Sequence, residues 1–125
     1  AFSSIVCREA AGELADGWYS ITDWTENGQS GKAAEFAEAY RAAYDAESDL
    51  VSVAAYDQVY ILADAIERAG SAAPQAINDA LGTISDLEGA MSVYTYHDTH
   101  CLSTSQMLTV NENALSVLVE RISIE

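Results

Sequence analysis

The chain has 125 residues, half of them hydrophobic, with 20 acidic side chains against 5 basic ones and a net charge of −15 at pH 7. That length and apolar content describe one globular domain with enough interior for a real core, and they exclude a disordered chain. The charge disfavours phosphate backbones and anionic lipid, so no nucleic acid or membrane surface is expected as a partner, and no apolar run approaches the roughly 20 residues that span a bilayer.

The elements follow in chain order. Residues 2–12 read as a loop leading into a helix. Trp18 to Trp24 reads as a strand, with Tyr19, Ile21 and Asp23 alternating against Trp18, Ser20, Thr22 and Trp24. The run Glu26-Asn27-Gly28-Gln29-Ser30-Gly31 is rich in turn formers. A helix is predicted from Lys32 to Asp45, burying Phe36, Ala37, Tyr40 and Tyr44. The polar residues Asp45 to Asp49 supply an N-cap for a long helix from Leu50 to Ala69. On that helix Val51, Ala55, Val59, Leu62, Ala63 and Ile66 recur at the spacing of one face. Gly70 stands where a left-handed C-terminal cap belongs, and Pro74 suits the first turn of a short helix reaching Ile84. The tail changes character: Met91 to Tyr96, Gln106 to Val110 and Ala114 to Ile122 are strand-like, with Asn111-Glu112-Asn113 as a hairpin turn. The acids are dispersed over helix surfaces, as at Glu35, Glu38, Asp64 and Glu67. They read as a solubilising coat, without the clustering that calcium requires.

The order of residues 54–82 is narrower than any such pattern. Tyr56-Asp57-Gln58-Val59-Tyr60-Ile61-Leu62-Ala63-Asp64-Ala65-Ile66, then Ala69-Gly70-Ser71, then a proline-led helix ending in Ala80-Leu81, resembles the late segment of type I periplasmic binding proteins, the solute receptors of ABC importers. Gly17-Trp18-Tyr19-Ser20-Ile21-Thr22 resembles the family's glycine-aromatic strand between lobes. Phe36, Tyr40 and Tyr44 resemble its following helix, and Gly89-Ala90-Met91-Ser92-Val93 its late strand. Glu88-Gly89-Ala90 lacks the Gly-Pro often found there, and the last hairpin matches poorly, which leaves the subfamily open.

The resemblance implies an α/β fold: the C-terminal part of a two-lobed receptor, helices packed on a sheet, late antiparallel strands. Residues 1–24 would belong to one lobe and the crossing strand, 25–103 to the helical segment of the other lobe, and 104–125 to a terminal hairpin. Family members are more than twice this length, and a start at Ala1-Phe2-Ser3 fits a chain that begins inside a longer protein. Their late helices cover a sheet made largely by the N-terminal half. The apolar face of the long helix is therefore expected to be uncovered here and to drive self-association into a homodimer. The implied function is extracytoplasmic binding of a small-molecule solute, an amino acid, amide or urea, for an ABC permease. The alternative is a ligand-sensing domain of the same fold that controls a signalling or transcription partner. By position Phe2, Ser3 and Val51 fall near the cleft rim. Most residues that hold the solute's polar head lie in the other half of the family's chain, so these 125 residues alone should bind solute weakly.

Chemical machinery is sparse. Cys7 and Cys101 sit in no metal or redox spacing, and both a disulfide and two thiols remain open. His97-Asp98-Thr99-His100-Cys101 crowds metal-capable groups together, but neighbours on a strand alternate faces, so a polar strand-end turn is the expectation. No nucleophile elbow, phosphate loop or buried acid pair is visible, so neither catalysis nor a cofactor is expected. Trp18, Tyr19, Trp24, Tyr40, Tyr44, Tyr56 and Tyr60 can wall a cleft, although helical spacing favours core packing for the tyrosines.

Overall fold

A computed structural model describes residues 4–98, 100–102 and 105–122. Helix α1 (Ile5–Ala11) runs through a 3-10 turn (Gly12–Ala15) into strand β1 (Tyr19–Thr22). Three helices follow: α2 (Gly31–Tyr44), α3 (Leu50–Ala69) and α4 (Pro74–Leu81). The short strands β2 (Leu87–Glu88), β3 (Val93–Tyr94), β4 (Tyr96–His97) and β5 (Cys101–Leu102) lead to the long hairpin β6 (Gln106–Glu112) and β7 (Leu115–Ile122).

The helix ends lie where the chain's stop and start signals put them. Asp49 caps α3 with a full capping box: its carboxylate accepts from the Ser52 amide at 2.8 Å, and its own amide donates to Ser52 Oγ at 3.0 Å. Gly70 closes α3 at φ 57°, a left-handed conformation that costs glycine nothing, and Pro74 opens α4.

A three-stranded antiparallel sheet, in the order β1-β6-β7, gathers strands from both ends of the chain, while β2-β3 and β4-β5 form two separate two-stranded pairs. Tyr19 pairs with Val110 and Thr22 with Met107, while Glu112 pairs with Leu115 across the hairpin. Asn113 and Ala114 form the turn, both at positive φ, as the right-handed strand twist demands of a two-residue hairpin. The turn therefore shares only Asn113 with the predicted Asn111-Glu112-Asn113, since Asn111 and Glu112 are paired in β6. A bulge between Leu108 and Thr109 bends the pair.

The core lies between α2, α3 and the inner face of β6. Val53 and Met107 are fully buried, packed with Phe36, Ile61, Met91 and Trp24. Arg8 anchors α1 to this body. Its buried guanidinium donates to Glu47 Oε1 and to the Ala114 carbonyl, both at 2.7 Å, joining the α2–α3 connection to the hairpin turn.

The observed structure also departs from the expectations at the late strand and at Tyr44. Residues 89–92 are a tight turn closed by Gly89 N–H donating to the Ser92 carbonyl at 2.8 Å, and strand pairing there is confined to Leu87–Tyr94 and Glu88–Val93. Tyr44 is exposed, because the α2 face that packs on the core ends at Phe36 and Ala37 with Tyr40 at its margin. On α3 the buried face is Val53, Asp57, Ile61 and Ala65, while Val51, Val59, Leu62 and Ile66 stand in solvent. The exposed stripe is the one the family resemblance implied would lack a cover.

Candidate functional site

A groove of about 670 Å³ lies where α2, α3 and the β2–β3 turn meet. Phe36 and Ala39 contribute one wall, Tyr56, Tyr60 and Ile61 the second, and Leu87, Gly89 and Tyr94 the end. Helical spacing places these rings. Tyr56 and Tyr60 are one turn apart on α3, with ring centroids 4.9 Å apart and hydroxyls in a 3.3 Å hydrogen bond. Phe36 packs on Tyr56 at 4.9 Å. The Tyr56 phenol is raised above its ordinary value, first by its hydrogen bond to Tyr60 and then by burial. The rim carries Glu35, Asp64, Glu67 and Glu88 against a single ammonium, Lys32, which donates to the Glu88 carbonyl at 2.8 Å. Its walls are apolar and its rim polar, the composition common to small-molecule clefts.

Asp57 closes the inner end. Its buried carboxylate accepts from the amides of Ala90 and Met91 at 2.7 and 2.8 Å and from the Tyr94 hydroxyl at 2.7 Å. The helix thereby holds the β2–β3 turn by charge-assisted hydrogen bonds. Gly89 makes the approach possible: a Cβ there would lie 2.4 Å from Asp57 Oδ2 and 2.7 Å from the Tyr94 ring. With the carboxylate engaged by three donors, Asp57 orders the fold and offers nothing to a ligand.

Burial, and then the bond to Asp57, push the Tyr94 phenol well above its ordinary value of about 10. The sign follows from linkage. The folded state favours the neutral phenol, so its contribution is complete below the unfolded value and is lost as pH rises beyond it. Urea titrations between pH 9 and 11 are expected to show stability falling by up to about 1.4 kcal/mol per pH unit above pH 10, with a shallower fall in Tyr94→Phe.

Of the residues assigned to the rim by resemblance, Phe2 and Ser3 lie outside the described residues. Val51 is 73% exposed on the first turn of α3 and does not line the groove. Tyr56 and Tyr60, whose helical spacing favoured the core, instead wall the groove in partial exposure. The signal that separates them was present: both lie one residue before an i, i+4 series of buried positions, Asp57 and Ile61, and so on its flank. Cys7 and Cys101 form no disulfide, and both are exposed. His97 pairs with Cys101 across β4 and β5, and His100 Nδ1 lies 3.1 Å from the Tyr96 hydroxyl. Among the described residues no three His, Cys, Asp or Glu side chains converge as a metal would require.

Helices α2 and α3 beside a three-stranded antiparallel sheet, with an apolar groove between the helices and the β2–β3 turn, are the frame that the comparisons with known proteins place in a family. A model of the periplasmic binding protein family matches residues 5–112, and the chain belongs to that family, one of binding proteins and not of enzymes. Its fold is part of the type I periplasmic-binding-protein fold. It is similar to a leucine-binding protein, LivK, from Thermotoga maritima MSB8, at 23% identity and TM-score 0.79, over 96% of this chain and 35% of that one. It is similar to the branched-chain amino acid transporter substrate-binding protein LivJ of Streptococcus pneumoniae, solved with isoleucine, at 28% identity and TM-score 0.67, over 81% and 30%. A solute-binding protein of an ABC transporter from R. palustris, solved with benzoate, superposes at 18% identity and TM-score 0.74, over 91% and 32%. The chain thus spans about a third of the length of these structures. No curated protein matches it.

Proposed function

We propose that these residues form the C-terminal portion of an extracytoplasmic solute receptor that binds an amino acid or small amide for an ABC permease. The observation that carries the reading is the family match over residues 5–112, reinforced by neighbours whose bound solutes are isoleucine and benzoate. Under this reading the chain belongs to a longer, membrane-associated polypeptide. Residues 1–24 lie in one lobe and the crossing strand, 25–103 in the helical segment of the other lobe, and 104–125 in a terminal hairpin. Phe2, Ser3 and Val51 stand at the rim of the cleft, which closes by hinge motion without making or breaking a bond.

Thermal-shift screening of the longer polypeptide against branched-chain amino acids, short amides and urea tests it. A true ligand at a hundred times its Kd stabilises the folded state by about 2.7 kcal/mol, a shift of several degrees. Silence across that panel, in a protein shown to be folded, would remove the solute-receptor reading. A shift accompanied by altered contact with a signalling or transcription partner would favour the sensor.

A further inference from the structure

We propose that the groove between α2, α3 and the β2–β3 turn is a binding site for an organic cation, an alkyl- or arylammonium ion with an apolar body. Three aromatic rings line it in series: Phe36 packs on Tyr56 and Tyr56 on Tyr60, each pair with centroids 4.9 Å apart. Tyr56 and Tyr60 remain 42% and 58% exposed, so ring surface is presented to whatever enters. The lining carries five carboxylates and one ammonium, in a chain of net charge −15. That ammonium, Lys32, is engaged by the carbonyl and the carboxylate of Glu88, at 2.8 and 3.7 Å, and Asp64 pairs with Arg68. Glu35 on α2 and Glu67 on α3 form no ion pair among the described residues. The charge of Glu35 reaches the rings: after the bond to Tyr60 and burial, it is among the lesser causes that raise the Tyr56 phenol. Exposed rings beside unpaired carboxylates attract a cation with an apolar body, by the ring quadrupole and by charge together.

The lining also selects against other occupants. An anion would meet a surplus of negative charge, and the amides of Ala90 and Met91, the donors it would need, are already taken by Asp57. An inorganic cation needs several oxygens converging on one point, and among the described residues no three His, Cys, Asp or Glu side chains do so. Nor is the groove the part of α3 that awaits a cover. The stripe Val51, Ala55, Val59, Leu62 and Ile66 carries no charge, whereas Tyr56, Tyr60, Ala63 and Glu67 lie on a flank about 100° around the helix, with Glu35 of α2 lining the same groove. An apolar segment of polypeptide can lie on the stripe without stranding a charge; drawn over the flank, it would bury two unpaired carboxylates. Val51, assigned by resemblance to the cleft rim, does not line the groove, so the inference does not rest on the solute-receptor reading.

NMR titration of the full polypeptide that carries these residues tests it, with 2-phenylethylammonium, 2-phenylethanol and 3-phenylpropanoate as probes of similar body and different charge. The ammonium is expected to bind, the alcohol about tenfold more weakly, and the carboxylate not at all. Tyr60→Leu, which keeps an apolar wall without a ring, should weaken the ammonium about fivefold. Glu35→Gln combined with Glu67→Gln should weaken it about tenfold at low salt, an effect that near-molar salt removes. All three side chains are exposed, so the thermal midpoints should stay those of the parent. Glu38→Gln with Glu112→Gln removes the same charge from exposed positions outside the groove and should leave the affinity within about twofold. The inference fails if the ammonium does not bind at millimolar concentration, if the alcohol binds as well, or if the control pair weakens binding as much as the groove pair. It fails also if Tyr60→Leu changes nothing, which places the amine elsewhere. Shielding of the Tyr60 ring from a soluble paramagnetic probe in the ligand-free polypeptide would overturn it too, because the rest of that polypeptide would then be the occupant. None of these readouts involves an amino acid or amide, so failure here and failure of the solute-receptor reading are told apart.

Discussion

Asp57→Ala is expected to lower the free energy of unfolding by about 4 kcal/mol, the largest loss of any single substitution in α3. The carboxylate is 1% exposed and accepts three hydrogen bonds, from the amides of Ala90 and Met91 and from the Tyr94 hydroxyl. Alanine removes the acceptor and leaves three buried donors. Because Gly89 has no side chain, no neighbouring group is positioned to replace it. The cost is therefore the desolvation of stranded donors as well as the lost bonds. Asp57→Asn keeps the volume and one acceptor oxygen but brings an NH₂ group toward donors, and should lose about half as much. Urea denaturation at pH 7 reads both: a lower midpoint with an unchanged m-value is expected. A loss below about 1 kcal/mol for alanine would mean that the β2–β3 turn does not need the clamp.

Asp57 also shows why the sequence could be read for helix positions but not for helix faces. The limits of α3 were legible because Asp49, Gly70 and Pro74 act within a few residues of themselves. Its buried face was harder to see, since a charged residue sits in the middle of it between Val53 and Ile61, whereas Val51, Ala55, Val59, Leu62 and Ile66 are unbroken. Periodicity ranks faces by hydrophobicity and cannot see that a carboxylate is satisfied by amides 33 and 34 residues away. Strands β2 to β5, of two residues each, are too short to carry any alternation, so the strand predicted over Met91 to Tyr96 is in fact the end of a turn followed by two fragments, β3 and β4, broken at Thr95. The family and fold were legible for a different reason, the order of residues 54–82. The groove was not, because it depends on how α2 and α3 lean together, and no local residue sets that.

Glu26 belongs to the same illegible class, and the second large effect is expected there. Lying in a run of turn formers, it reads as a solvated acid, yet its side chain is 1% exposed. Oε2 accepts from both the amide and the hydroxyl of Ser48 at 2.9 Å, and Oε1 takes the Arg41 guanidinium. The Ser48 hydroxyl in turn accepts from Trp24 Nε1 at 3.2 Å, so one carboxylate ties the loop after β1, the last turn of α2 and the connection into α3. Glu26→Ala should cost about 3 kcal/mol, because the buried Ser48 amide is left without an acceptor. Arg41→Ala should cost under about 1 kcal/mol, since its side chain is 61% exposed and water can replace it at the carboxylate. That asymmetry is the test. If the two substitutions prove equally damaging in chemical denaturation, the ion pair holds the α2–α3 junction and the hydrogen bonds to Ser48 do not. If Glu26→Ala alone is severe and amide exchange accelerates first around residues 45–49, the buried acceptor is what positions α3, and with it both the groove and the uncovered stripe.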